Sequence, residues 1–155
     1  MDDLPEPPAR LTHAEVEIIF SHRTPDNAPE GFVAGYHFVI RDARGREAGH
    51  INLRIGSTPH VTFVAGHVGY EILPGRRGHR YAEKACRALA PWAATFPIGL
   101  IITTDPDNHA SIRTIGNLGA RFIDEVDVPP DDPHFLRGSL RKRRYLWLPE
   151  STQSA

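Results

Sequence analysis

The residues best suited to chemistry stand together at positions 69 to 82. They read Gly69-Tyr70-Glu71-Ile72-Leu73-Pro74-Gly75-Arg76-Arg77-Gly78-His79-Arg80-Tyr81-Ala82: an alternating run, a Gly/Arg turn and the start of a helical pattern. A helix start leaves backbone N–H groups unpaired and carries the positive end of the helix dipole, so such a junction is a ready anion site. Arg76, Arg77 and Arg80 raise the local potential further, although a merely solvated basic helix start would carry the same residues. The segment lacks the Gly-Lys-Ser/Thr of a nucleotide phosphate loop and the third glycine of a dinucleotide fingerprint, which disfavours triphosphate hydrolysis and hydride transfer. The nine histidines show no His-Glu-x-x-His or similar spacing, so no metal is assigned. Cys86 and Trp92 fall in an apolar helical stripe and read as core residues.

The elements that must position this segment follow from periodicity. Residues 14–20 and 32–40 are rich in β-branched and aromatic residues, Asp42 to Arg46 reads as a hairpin turn, and 47–55 is a third strand. Residues 61–73 read as a strand whose end alternates, with Val68, Tyr70 and Ile72 on one face and His67, Gly69, Glu71 and Leu73 on the other. From Arg77 the period changes. Ala82, Ala85, Cys86, Leu89 and Ala93 make one helical stripe, Glu83 and Arg87 an i,i+4 pair, and Pro91 predicts a kink. Residues 98–102 read as a covered strand, so 61–104 is expected to form a strand, helix and parallel strand unit. A second helix is expected over 108–118, then strands over 120–128 and 140–148. The fold class is mixed α/β (α+β type), a mostly antiparallel twisted sheet of about seven strands with two main helices.

Composition sets outer limits. With 155 residues, 40% of them hydrophobic, the chain is expected to form one domain over 13–149, between loose segments at 1–12 and 150–155. A chain of this size buries about 70% of its unfolded surface, enough for a core without staples. Lys+Arg of 18 against Asp+Glu of 19 gives a net charge of -1, so no polycationic surface faces nucleic acid or an anionic membrane. The run Arg141-Lys142-Arg143-Arg144 follows Asp124, Glu125, Asp127, Asp131 and Asp132, and mutual neutralisation is expected. One cysteine and an acidic start point to the cytoplasm, and no apolar run is long enough for a membrane span.

Arg77-Gly78-His79-Arg80-Tyr81-Ala82, behind a Gly-Tyr-Glu-Ile strand, resembles the (Arg/Gln)-x-x-Gly-x-(Gly/Ala) signature of the GNAT superfamily of acyl-CoA-dependent N-acyltransferases. Asp107-Asn108-His109-Ala110-Ser111, leading to Leu118-Gly119-Ala120-Arg121-Phe122, is similar to the family's later segment, in which an asparagine opens a helix. The two lie in the family's order and cover roughly residues 47–128. The resemblance implies an N-acetyltransferase that moves the acetyl group of acetyl-CoA to a primary amine, small molecule or peptide, by direct attack in a ternary complex. It implies that the amides of Gly78, His79, Arg80, Tyr81 and Ala82, beside Arg77, hold the CoA pyrophosphate. The backbone of Ile72 and Leu73 would bind the pantetheine arm between two splayed strands, with Asn108 and Ser111 on the other side. Glu71 is the candidate base that takes the amine proton, with His67 as an alternative, and an N–H near Ile72 would polarise the thioester carbonyl.

Three positions depart from the family pattern. Arg80 stands where glycine is usual, and Ile115 where many members carry a tyrosine that protonates the leaving thiolate, so this chain would use water, another residue such as Tyr36 or Tyr70, or no acid. Residues 21–31 are too short for the N-terminal helix pair that roofs the acceptor site, so the pocket is more open or a second subunit, in a possible homodimer, closes it. The loop 129–139, with Asp131, Asp132 and His134, is expected to line the acceptor pocket. The rival readings are a non-catalytic acyl-CoA-binding or nucleotide-binding module, and an RNA-binding domain working through Arg76 to Arg80.

Overall fold

Residues 4–27 and 31–149 are described by the structure, a computed structural model. The strand-forming first half makes an antiparallel meander of β1 (Arg10–His13), β2 (Val16–Thr24), β3 (Ala34–Arg41), β4 (Glu47–Ile55) and β5 (Val68–Ile72), paired in chain order. The predicted hairpin turn forms because Asp42 accepts N–H bonds from both Arg44 and Arg46 at 2.9 Å. The second half forms a three-stranded antiparallel sheet in the order β6 (Leu100–Thr104), β8 (Arg141–Trp147), β7 (Arg121–Asp127). The helices are α1 (Tyr81–Ala93), α2 (His109–Asn117) and the short α3 (Pro133–Leu136).

Alternation decides where the core lies. Tyr36, Phe38, Ile40, Ile51 and Leu53 point to one face of the larger sheet and are fully buried, together with Ala85, Cys86 and Leu89 of α1. The helix crosses β1, β2, β4 and β5 on that face. Glu83 and Arg87 pair at 3.2 Å as the spacing predicts. Pro91 sits on the exposed side, and α1 runs past it to Ala93.

The mixed, mostly antiparallel class stands, while several details differ. Eight strands form among the described residues, divided between two sheets. Residues 61–67 are not strand: His60–Ala65 is a π-helical turn that buries Val61, Val64 and Ala65 and closes with the Gly66 N–H on the Val61 carbonyl at 2.7 Å. Its Val and Thr residues carried the strand signal, but burial of three side chains on one side of a coil outweighs that propensity. Nor do β5 and β6 pair as a parallel ladder among the described residues. They touch through His67, whose N–H donates to the Ile101 carbonyl at 2.7 Å while its Nδ1 accepts from the Ile101 N–H at 2.9 Å, and then they separate. The loose segment at 1–12 is also shorter than expected: Leu4 packs on the core, the Pro5 carbonyl accepts from the Tyr36 hydroxyl at 2.7 Å, and residues 10–12 are strand. Residues 1–3 and 150–155 lie outside the described residues.

Candidate functional site

Where β5 and β6 diverge, a cleft of about 500 Å³ opens between β5, the turn that follows it, and the starts of α1 and α2. Its wall includes Tyr70, Glu71, Ile72, Arg77, Gly78 and Ser111. A 3-10 turn, Pro74–Arg76, carries the chain from β5 toward α1. Gly78 follows at φ +94°, a conformation that side-chain-bearing residues rarely adopt, and Arg80 caps the helix at φ +59°, ψ +31°. This left-handed cap explains why glycine is usual at the matching position of the family signature.

The amides of Gly78, His79, Arg80, Tyr81 and Ala82 donate to no protein acceptor among the described residues; the first bond closed over this stretch runs from the Lys84 N–H to the Arg80 carbonyl. Those of Arg80, Tyr81 and Ala82 are orphan donors of the α1 N-terminus, beside the positive end of its dipole, and those of Gly78 and His79 belong to the turn before it. Arg77, Arg80 and Arg113 also line the cleft and form no ion pair among the described residues. Arg77 donates instead to the Ile72 carbonyl at 3.3 Å. Arg76 differs, being held by Asp42 at 3.1 Å. Arg113 carried no sequence signal, because only the fold sets α2 against the start of α1.

On the α2 side, Asn108 is the helix cap and its Oδ1 accepts from the Ser111 N–H at 3.1 Å. Asn108 also lines the cleft. The Ser111 hydroxyl lies 2.7 Å from that of Tyr70. Burial raises the Tyr70 pKa, so its phenol keeps its proton across the working range. Ile115 is fully buried, and a side chain there does not reach the cleft, while Tyr36 is sealed in the core on Pro5. Of the two tyrosines considered as proton donors, Tyr70 is therefore the one at the site.

Glu71 is exposed on the cleft wall, opposite His50 of β4. Ile72 and Leu73 behave differently from each other. The Leu73 N–H donates to the Ala48 carbonyl at 2.9 Å and its carbonyl accepts from Arg76 at 2.8 Å, so Leu73 does not offer a free edge to a ligand, contrary to expectation. Alternation along an edge strand turns the backbone of Ile72 the other way, into the gap. His79 is not part of the cleft wall, and its ring stacks on that of Tyr81.

His67 is also corrected. It is 2% exposed, burial depresses its pKa, and both ring nitrogens are engaged, Nδ1 by Ile101 and Nε2 by the Ser57 hydroxyl at 3.3 Å. It is a clamp between two strands, with no free nitrogen to act as a base. The acidic loop divides likewise. Asp132 caps α3 through the His134 N–H and binds His60 at 2.6 Å, and Asp131 lies in a separate surface hollow. His134 alone of the three lines a second hollow of about 300 Å³ on the other face of the larger sheet. The basic run of β8 is neutralised in part as expected, Arg141 by Glu125 and Asp127 and Arg144 by Asp124, whereas Lys142 pairs with Asp105 and Arg143 stacks on Phe122 and bonds the Tyr145 hydroxyl.

A family model described as an acetyltransferase (GNAT) domain matches residues 4–121. The chain therefore belongs to the GNAT family of acetyltransferases. Its fold is shared with ribosomal-protein-S5-alanine acetyltransferase from Vibrio fischeri, at a TM-score of 0.56 and 17% identity over 72% of this chain. This chain spans only 60% of that enzyme's length. A mutant of spermidine N-acetyltransferase from Vibrio cholerae gives a TM-score of 0.59 at 15% identity, covering 78% of this chain and 69% of that one. A GNAT-family acetyltransferase from Bacillus anthracis gives 0.55 at 20% identity, covering 74% and 66%. Among curated protein sequences, none matches. Among the described residues, no helix is long and apolar enough to cross a membrane.

Proposed function

We propose that the chain binds acetyl-CoA in the cleft between β5 and the starts of α1 and α2 and transfers its acetyl group to a primary amine by direct attack in a ternary complex. The observation that carries this reading is the run of amides from Gly78 to Ala82 without a protein acceptor among the described residues, beside a cleft whose wall carries Arg77, Arg80 and Arg113. These groups fit a diphosphate and its neighbouring phosphate. The gap beside Ile72 fits an extended arm that borrows the strand edge, and the Asn108 amide fits its other side.

Acetyl-CoA supplies a thioester whose carbonyl carbon a neutral amine attacks, with loss of the thiol. Primary amines are mostly protonated at pH 7, so the chain must remove a proton, and Glu71 at the cleft wall takes it directly or through a water. The Ile72 N–H, turned into the gap, donates to the thioester oxygen as charge grows there. Tyr70, protonated and held by Ser111, donates a hydrogen bond toward the departing sulfur.

Calorimetry with CoA and acetyl-CoA tests the reading: micromolar to sub-millimolar binding is expected, and no binding at millimolar concentration removes it. The buried Ile115 favours the rival, a non-catalytic acyl-CoA-binding module. Thiol release from acetyl-CoA above the blank, with any member of an amine panel, excludes that rival.

A further inference from the structure

The face of the larger sheet turned away from α1 carries polar groups that the acetyl-CoA cleft does not use. Asn52 and Arg54 of β4 alternate with core residues Ile51 and Leu53 and lie across the sheet from His37 and Gly35 of β3. Both line the 300 Å³ hollow. The Arg54 guanidinium donates from one nitrogen to the carbonyls of Ala65 and Gly66, at 3.3 and 3.1 Å, and meets no carboxylate among the described residues. Burial pushes its pKa below the ordinary value, as befits a cation without a counter-ion. Asn52 is 9% exposed, and its Oδ1 has no hydrogen-bond partner.

The two groups converge on a residue that has no side chain. A Cβ on Gly69 would stand 2.6 Å from the Asn52 oxygen and 3.2 and 3.5 Å from the two terminal Arg54 nitrogens. An unpaired cation and an unpaired acceptor are thus held side by side, each costing stability until something pairs with it. A carboxylate suits the guanidinium nitrogens that Ala65 and Gly66 leave free, while the Asn52 oxygen is packed against Gly69 beside them.

We infer that this hollow is the acceptor pocket and that it selects a primary amine bearing a carboxylate, an acceptor of amino-acid type, with the carboxylate on Arg54. The inference rests on the acetyl-transfer reading above. Arg137, on the rim, adds a second cation without an ion-pair partner among the described residues. The acids nearby do not oppose it, since Asp132 is engaged by His60 and by the His134 N–H. Glu71 lies two residues along β5 from Gly69, a strand advance of about 7 Å, so an amine can approach the base while its carboxylate stays on Arg54. A polyamine would instead press a second ammonium against the guanidinium.

The test uses matched amines with and without the carboxylate: lysine against cadaverine, phenylalanine against phenethylamine, methionine against 3-(methylthio)propylamine. The carboxylate-bearing member of the productive pair is expected to have at least a tenfold higher kcat/KM. Asn52→Asp places an internal carboxylate beside Arg54, gives it a partner and so preserves the fold, and should abolish the preference; Arg54→Gln should do the same. Independently of acetyl-CoA, glutarate titrated calorimetrically at constant ionic strength should bind the unaltered chain and bind N52D at least tenfold more weakly. Equal or better turnover of the decarboxylated amines, a preference retained in N52D, or no glutarate binding to the unaltered chain overturns the inference and leaves acetyl transfer standing. Glutarate binding that N52D abolishes, in a chain that binds no CoA, overturns acetyl transfer and keeps the carboxylate site.

Discussion

Replacing Arg80 by glycine should stabilise the chain and weaken its grip on coenzyme A at the same time. Arg80 holds φ +59° and ψ +31° at the cap of α1. For a residue with a side chain, that left-handed conformation costs about 1–2 kcal/mol, of which glycine's larger freedom in the unfolded chain returns about 0.5–1 kcal/mol to the unfolded side. A net gain of about 0.5–1 kcal/mol remains, a rise in Tm of about 2 °C for a chain this long. The same change removes one of three arginines without ion-pair partners at the cleft. Because Arg80 is exposed, its phosphate contact is valued between an open ion pair and a charge-assisted hydrogen bond, about 0.7–1.4 kcal/mol, or about three- to tenfold in Kd. Urea unfolding reads the first effect; calorimetry with CoA and 3′-dephospho-CoA, at low and high salt, reads the second. An R80G chain less stable than its parent refutes the strain argument, and one that binds CoA as tightly refutes the phosphate contact. Strain kept at a site for its ligand predicts both shifts together.

Glu71→Gln should lower turnover about 100-fold, in the range of lost general-base catalysis, with the CoA Kd within twofold of the parent value; unchanged turnover near neutral pH removes Glu71 from the role. His67→Ala should cost about 2–4 kcal/mol in urea unfolding, because it leaves the Ile101 N–H unpaired and opens a cavity, while His67→Asn, which keeps an acceptor near Nδ1, should recover part of the loss. Burial, with Lys142 and Arg137 adding repulsion, depresses the His134 pKa from 6.5 to about 4 in the folded chain. The unfolded chain therefore takes up the proton first, so the contribution of His134 to stability is complete above about pH 6.5 and is lost as pH falls toward 4. The expected slope is about 1 kcal/mol per pH unit after solvent screening, and His134→Gln should flatten it.

Much of the candidate site was legible because its chemistry is local. The amides of Arg80 to Ala82 are orphaned by the start of one helix, and Asn108 caps the next through a residue three positions on. The stripe Ala85, Cys86, Leu89, Ala93 marked the buried face of α1, and alternation across Val68, Tyr70 and Ile72 separated the faces of β5. The turn at His60–Ala65 misled, since valine and threonine favour strands until tertiary burial decides otherwise. His67 shared a face with Glu71 on paper, yet it lies where the chain turns into β5 and is claimed by Ile101.

The sequence by itself determined the class of fold, the Gly/Arg turn at the start of α1 and the order of the motifs, since each depends on neighbours within one helical turn or one strand. Only tertiary structure decided that β6 pairs with β8 and leaves β5 with an open edge, that Arg113 lines the same cleft as the α1 terminus, and that Asn52 and Arg54 meet over Gly69 with no carboxylate beside them among the described residues. Those outcomes depend on which distant strands share hydrogen bonds and which side chains find a counter-charge, and residue spacing along one chain does not encode either.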